Sequence, residues 1–90
     1  MKLWIDAHKP APEGYTWCTH IEDAKDWIMH WEEYGDTIEL ISVNASDYEH
    51  LTTWLNKYKR NYPIRIHSMN PVGVANMRRI IERNGWREIK

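Results

Sequence analysis

Arg65-Ile66-His67-Ser68-Met69-Asn70-Pro71-Val72-Gly73 is the stretch that decides the fold. Ile64 and Ile66 alternate with polar neighbours, a period of two that predicts the end of a β-strand. Asn70 follows as a predicted helix N-cap, with Pro71 at the first helical position. A strand, a polar turn and a capped helix in this order are typical of open α/β sheets, which bind ligands beyond the carboxyl ends of their strands.

The polar groups of this stretch suit an anion. A helix N-terminus offers backbone N–H groups and a partial positive charge, which favour phosphate above all. His67, Ser68 and Asn70 add an imidazole, a hydroxyl and an amide, and Gly73 lies in the same first turn. The alternative is a well-capped helix whose histidine only bonds its own loop, and the sequence leaves both interpretations open.

The composition is that of one globular domain over residues 1–90, with 42% hydrophobic and 28% charged residues. The chain contains six Trp and five Tyr but no Phe. Because the indole N–H and phenol O–H groups need hydrogen-bond partners, we expect some of these rings at a pocket rim or an interface. Cys18 is the only cysteine, which excludes an internal disulfide and a Cys-based zinc site. Asp6 interrupts the apolar stretch of a signal peptide, and no apolar run approaches the ~20 residues of a membrane span. We expect a cytoplasmic protein.

The charge is segregated along the chain although the net charge is only −1. Residues 1–49 carry eleven acids and three bases, whereas residues 50–90 carry two acids and nine bases. Such asymmetry indicates an anion-binding face or complementary surfaces that meet in an oligomer. A fold that interleaves the two halves of the chain would remove this charge asymmetry from the surface. The sequence does not decide between an anion-binding face, an oligomer interface and such interleaving.

Short strands alternate with helices along the whole chain. Strands are predicted over residues 2–6, 15–18, 38–43 and 64–67, with room for a short fifth strand over 86–89. Helices are predicted from a Thr19–Glu22 capping box to about Tyr34, from a Ser46–Glu49 capping box to near Asn61, and from Pro71 to Arg83. The pattern predicts a small three-layer, flavodoxin-like α/β fold with a mostly parallel sheet in the order 2-1-3-4.

In that topology the carboxyl ends of strands one, three and four meet at one crevice. The polar residues that the crevice collects are Asp6, His8, Asn44, Ser46, His67, Ser68 and Asn70.

Two segments carry a resemblance to a known family. One is Leu3-Trp4-Ile5-Asp6 with the later Pro10-Ala11-Pro12-Glu13-Gly14, and the other is Ile66-His67-Ser68-Met69-Asn70-Pro71-Val72-Gly73. They resemble the cyclic-phosphate-processing receiver-like family, a small relative of response-regulator receiver domains, and the resemblance covers nearly the whole chain in order. It implies a compact receiver-like α/β domain with a site at the strand ends that acts on nucleotide or RNA-derived cyclic phosphates.

The chain departs from the family pattern at its acids. The family usually has Asp-Asp after the first strand, where this chain has Asp6 and Ala7. It usually has an acidic Leu-Asp-His-Asp-Leu element and a Gly-rich acidic loop after the third strand, where Asn44 stands about where an acid would be and the loop is missing. Because Mg²⁺ requires clustered oxygen ligands, we expect metal binding to be impaired or lost, with Asp6 as the remaining candidate ligand and no cofactor.

A crevice with fewer carboxylates repels phosphate less, while the basic and polar donors around it remain. Lys9 adds a cation, and Tyr15 and Trp17 beside the first loop can stack a base. The predicted ligand-binding set is Asp6, His8, Lys9, Tyr15, Trp17, Asn44, Arg65, His67, Ser68, Asn70 and Gly73. The leading hypothesis is noncatalytic binding or sequestration of a cyclic or phosphorylated nucleotide, the role of a phage-encoded sponge against nucleotide-signalled immunity.

Two other function classes stay open. One is a cyclic-phosphate phosphodiesterase, using a metal or using His67 and His8 as an acid–base pair beside Asp6. The other is an interaction module that self-assembles through its charge asymmetry. We expect a homo-oligomer with a small phosphate-containing ligand, and neither a membrane nor a nucleic-acid partner. For Arg65 the structural alternative is a charge that protects an edge strand. The helically spaced Trp27, Trp31 and Trp54 are expected in a core or dimer interface rather than in a ligand platform.

Overall fold

The computed structural model describes residues 1–44, 48–68 and 70–90. Seven elements follow one another in the alternating order that the sequence predicts. They are β1 (Lys2–Ile5), β2 (Thr16–Cys18), α1 (Ile21–Glu33), β3 (Leu40–Val43), α2 (Tyr48–Lys57), β4 (Ile64–Ile66) and α3 (Pro71–Asn84). Asp6 and His67 lie just beyond their strands rather than inside them. The predicted capping box of Ser46 and Glu49 lies outside the described residues and side chains.

The four strands form one parallel sheet in the order β2-β1-β3-β4, which confirms the predicted topology. Trp4 of β1 pairs with Trp17 of β2 on one side and with Ser42 of β3 on the other. The fifth strand is a single parallel bridge between Ile64 and Glu88. It extends the sheet beyond β4 at one position only.

All three helices cover the same face of the sheet. The crossovers from β2 to β3, from β3 to β4 and from β4 to the last bridge run in one direction across the sheet, and right-handed connections therefore place their helices on one side. Buried residues of the three helices share one cluster with alternate residues of the strands. The cluster is Leu3, Ile5, Cys18, Ala24, Ile28, Trp31, Ile38, Ile41, Val43, Leu51, Leu55, Ile64, Met77 and Ile81.

The opposite face is built differently from the predicted third layer. The connection from β1 to β2 runs in the reverse direction and contains a turn-rich loop over residues 7–15 instead of a helix. Trp4 and Ser42 point to this face because they alternate with Leu3 and Ile41 of the core, and both are buried. The Trp4 indole N–H donates to the Lys9 carbonyl at 2.9 Å, so the loop is bonded to the sheet.

The helix ends follow the sequence signals with two corrections. Helix α2 ends at Lys57 rather than near Asn61, because the chain leaves the helix in a turn where Lys59 has a φ of 55°. The α1 N-cap is His20, not Thr19, and its side chain makes no capping hydrogen bond because the Thr19 hydroxyl and the His20 ring bond each other at 2.9 Å. Helix α3 begins after Asn70 as predicted and ends at Asn84, followed by the C-cap Gly85, whose φ of 68° suits a residue without a Cβ. No helix among the described residues is long and apolar enough to cross a membrane.

Candidate functional site

The Asp6 carboxylate is the centre of the polar edge beyond β1. Oδ1 accepts the backbone N–H groups of His8 and Lys9, both at 2.9 Å. Oδ2 accepts the Asn44 amide at 3.2 Å and lies 3.1 Å from His67 Nε2. Residues from the ends of β1, β3 and β4 therefore meet at one carboxylate, and Asp6 is only 2% exposed.

Hydrogen bonds determine the protonation state of this carboxylate. Burial by itself raises the pKa of Asp6, but the N–H groups of Lys9 and His8, together with Asn44 and His67, outweigh burial and lower the pKa to about 2. Asp6 is therefore ionised at neutral pH and only accepts hydrogen bonds. It follows that His67 donates its Nε2–H to Oδ2.

The His67 ring is held on three sides by buried groups. Nδ1 lies 2.8 Å from the hydroxyl of Ser42, which is fully buried. The ring stacks on Trp4, with centroids 3.6 Å apart and planes 6° apart. In a neutral imidazole the Ser42 hydroxyl donates to Nδ1, which gives a hydrogen-bonded chain from Ser42 through His67 to Asp6.

This chain has the residue types of a nucleophilic triad but not the accessibility. A nucleophile must reach the substrate, and the Ser42 hydroxyl is closed off by the sheet and the His67 ring. Both nitrogens of His67 face protein groups that are themselves buried. A ligand oxygen would have to displace one of these partners before His67 could take its proton.

The described residues at this edge do not fit a magnesium site. Both Asp6 oxygens already accept hydrogen bonds, two of them from backbone N–H groups that cannot move away without opening the loop. Asn44 supplies an amide whose N–H₂ points to the carboxylate. Within the part of the chain that the structure describes, no three His, Cys, Asp or Glu side chains are grouped to hold a metal.

The loop after β1 surrounds this sealed centre with accessible groups. His8 and Lys9 contact Asp6 through their backbone N–H groups, and both residues are exposed. The Trp17 indole N–H donates to the Asp6 carbonyl at 2.8 Å, yet the ring is 44% exposed. Tyr15 packs edge-on against Trp4 with centroids 5.7 Å apart. The loop and the neighbouring strand β2 therefore present an exposed lysine and an exposed indole ring.

The backbone N–H groups at the start of α3 are already hydrogen-bonded within the protein. The Asn70 side chain accepts the N–H groups of Val72 and Gly73, at 3.1 and 3.4 Å. Ser68 Oγ accepts the Asn70 N–H at 3.2 Å and retains a hydroxyl hydrogen to donate. An anion at this helix end must therefore compete with the Asn70 cap, which corrects the expectation that these N–H groups remain open.

Arg65 and two residues absent from the predicted set lie on the helix-free face. Arg65 is half-buried and pairs in register with Ser42, so its side chain leaves the sheet on the same side as Trp4. Sequence analysis missed Ser42 and Trp4. Ser42 is the one polar residue of β3, and a polar residue at a register position beside Trp4 is the signal that could have found it.

Comparison with protein-family models gives a match over most of the chain. The family model described as the cyclic-phosphate processing receiver domain matches residues 1–83 of this chain. The curated proteins contain no match, and neither do the solved structures.

Proposed function

The chain belongs to the cyclic-phosphate processing receiver family, and from that membership we propose that it binds a cyclic or phosphorylated nucleotide at the carboxyl edge of its sheet without converting it. Such a protein would act by sequestering its ligand. The observation that carries the proposal is the state of Asp6 and His67, the two residues on which turnover would depend.

Hydrolysis of a cyclic phosphate requires an activated water, from a metal or from a general base. Asp6 is occupied by four donors, and His67 presents both nitrogens to buried partners. The acid–base alternative needs a second accessible histidine besides His8. The geometry therefore favours binding over turnover.

Accessible groups around the sealed centre supply the binding chemistry. Lys9 and His8 can meet a phosphate from the loop, and the Ser68 hydroxyl can donate to it from the turn before α3. Because the backbone N–H groups of His8 and Lys9 are bonded to Asp6, the backbone that carries these two side chains is already ordered, which reduces the entropy lost on binding.

A binding experiment with chemical recovery of the ligand tests the proposal. The protein is titrated calorimetrically with cyclic mono- and dinucleotides and with 2′,3′-cyclic phosphates, with and without Mg²⁺, and the ligand is then recovered and chromatographed. We expect heat of binding, an intact ligand and no dependence on Mg²⁺. Conversion of the ligand would restore the phosphodiesterase alternative, and no heat with any member would refute the nucleotide proposal.

Lys9→Asn and Lys59→Asn are matched variants for locating the site. Both remove one exposed lysine charge, but Lys59 lies in the turn between α2 and β4, at the amino edge of the parallel sheet. We expect Lys9→Asn to weaken binding about twofold to fivefold at low salt, in keeping with an exposed charge contact. Equal effects of the two variants would place the ligand elsewhere.

A further inference from the structure

An open groove of about 430 Å³ lies beside the loop, between β2 and the exposed side of α1. Its lining is Trp17, Asp23, Asp26, Trp27 and His30. The volume lies within the range of about 300–1,000 Å³ that is usual for small-ligand sites. Asp23 belongs to the first turn of α1, where an acid suits the helix dipole, but Asp26 takes part neither in the core nor in the hydrogen bonds around Asp6.

We infer that this groove takes the base of the nucleotide and that its carboxylates select guanine. The inference rests on the proposed function, since it names the base of the same ligand. Trp17 joins the two regions, because its indole N–H is bonded to the Asp6 carbonyl while its ring lines the groove.

Two indole rings provide the stacking surface. Trp17 and Trp27 are 44% and 40% exposed, which is unusual for the largest apolar side chain. Trp27 is supported from behind by the buried Trp31, with centroids 5.4 Å apart, and from the side by His30 at 5.7 Å. Bases stack on exposed, supported rings of this kind, with about 1–3 kcal/mol per base in single-stranded nucleic acid complexes.

The acids of the groove exclude one part of the ligand and select another. Asp23 and Asp26 are spaced i, i+3 on α1 and face the groove together with Trp27. Two carboxylates repel a phosphate, so the phosphate belongs on the Lys9 side of Trp17. A carboxylate only accepts hydrogen bonds, so the base beside it must present donors.

Guanine is the common base that presents two adjacent donors, N1–H and the 2-amino group, to a single carboxylate. Adenine places the N1 acceptor beside its amino group, and cytosine places the N3 acceptor there. Uracil flanks its one N–H with two carbonyl oxygens. Asp26 is the better placed partner, because Asp23 lies in the first turn of α1 with its carboxylate 3.9 Å from His20 Nδ1.

Nucleosides test the groove separately from the phosphate site. Guanosine, inosine, adenosine and uridine are titrated into ¹⁵N-labelled protein, and the indole N–H signals of Trp17 and Trp27 are followed. We expect guanosine to shift both signals and to bind about tenfold more tightly than adenosine, with inosine between them because it lacks the 2-amino group. Equal shifts with guanosine and adenosine, or no shift with any nucleoside, would overturn the inference.

Asp26→Asn and Asp36→Asn are the matched variants. Both replace an exposed aspartate by its amide, but Asp36 follows α1 and does not line the groove. We expect Asp26→Asn to remove most of the preference for guanosine over adenosine and Asp36→Asn to leave it within about twofold. A preserved preference in Asp26→Asn would contradict the assignment of the carboxylate.

The two proposals fail in different ways. Cyclic nucleotides that release heat while no nucleoside shifts the indole signals would refute the guanine groove and leave the binding function standing. A guanosine preference without any gain from adding a cyclic phosphate would refute the phosphate site and leave the groove standing.

Discussion

At the scale of single residues, the Asp6 carboxylate is the group on which the site depends. Its four hydrogen bonds connect the loop, β3 and the end of β4, and they lower its pKa to about 2. Because the pKa of Asp6 differs between the folded and unfolded chains, the free energy of unfolding depends on pH, and this dependence reports the contribution of these hydrogen bonds.

We predict that Asp6→Asn lowers the free energy of unfolding by about 2 kcal/mol at pH 7. The folded pKa lies below the ordinary value of 3.8, so the carboxylate stabilises the protein above pH 4 and loses that contribution as the pH falls through 2. Urea denaturation of both proteins between pH 7 and pH 2 checks this. The difference between them should shrink below pH 4, and a constant difference would contradict the shifted pKa.

At the scale of elements, the two described helix starts are unequal. Helix α3 has the Asn70 side chain on its first N–H groups, whereas α1 begins at His20 without a capping side chain. The His20 backbone is nevertheless extended, with φ −135° and ψ 149°, which is the conformation of an ordinary N-cap. The His20 backbone thus has the conformation of an N-cap, but the His20 side chain makes no capping hydrogen bond.

We predict that His20→Asn stabilises the protein by about 1 kcal/mol, because the amide oxygen can accept a free N–H of the first turn of α1. Thermal and urea unfolding measure the gain, with His20→Ala as the control that lacks an acceptor. Equal stabilities of the two variants would show that the Asn side chain does not cap.

At the scale of the whole molecule, one ionic cluster joins distant parts of the chain. Arg60, after α2, bonds Glu32 of α1 at 2.7 Å and lies over the Trp54 ring at 4.4 Å. The Tyr62 hydroxyl donates to the same Glu32 carboxylate. The hydrogen bond from Arg60 is the main reason that the pKa of Glu32 is lowered. Part of the opposite charge of the two halves is thereby paired inside one molecule.

We predict a coupling energy of about 1 kcal/mol between Glu32 and Arg60 in a double-mutant cycle of Glu32→Gln and Arg60→Gln. The pair is partly buried and bidentate, which favours a measurable interaction. The control is Glu22 with Lys25, an i,i+3 pair at 3.5 Å within α1, for which about 0.3 kcal/mol is expected. Equal coupling in both cycles would show that Glu32 and Arg60 do not hold α1 to the chain after α2.

The sequence by itself determined the elements, their order and the sheet edge at which Asp6, Asn44 and His67 meet. Alternation in Ile64–Ile66, the Asn70 cap and the Gly85 stop are local signals, because each acts within a few residues. Strand–helix alternation then implied the parallel order, since right-handed connections leave few alternatives. Asp6, Asn44 and His67 could be placed at one edge on that basis alone.

Only the tertiary structure decided how these residues are used. Ser42 and His67 are 25 residues apart, and Asp6 and His67 are 61 apart, so their contacts depend on strand register and not on any local pattern. The same packing buries the His67 ring under Trp4 and leaves the loop over residues 7–15 as the cover of the second face. Whether a histidine is a base or a buried link depends on which groups fill its surroundings, and a linear sequence specifies those groups only through the fold.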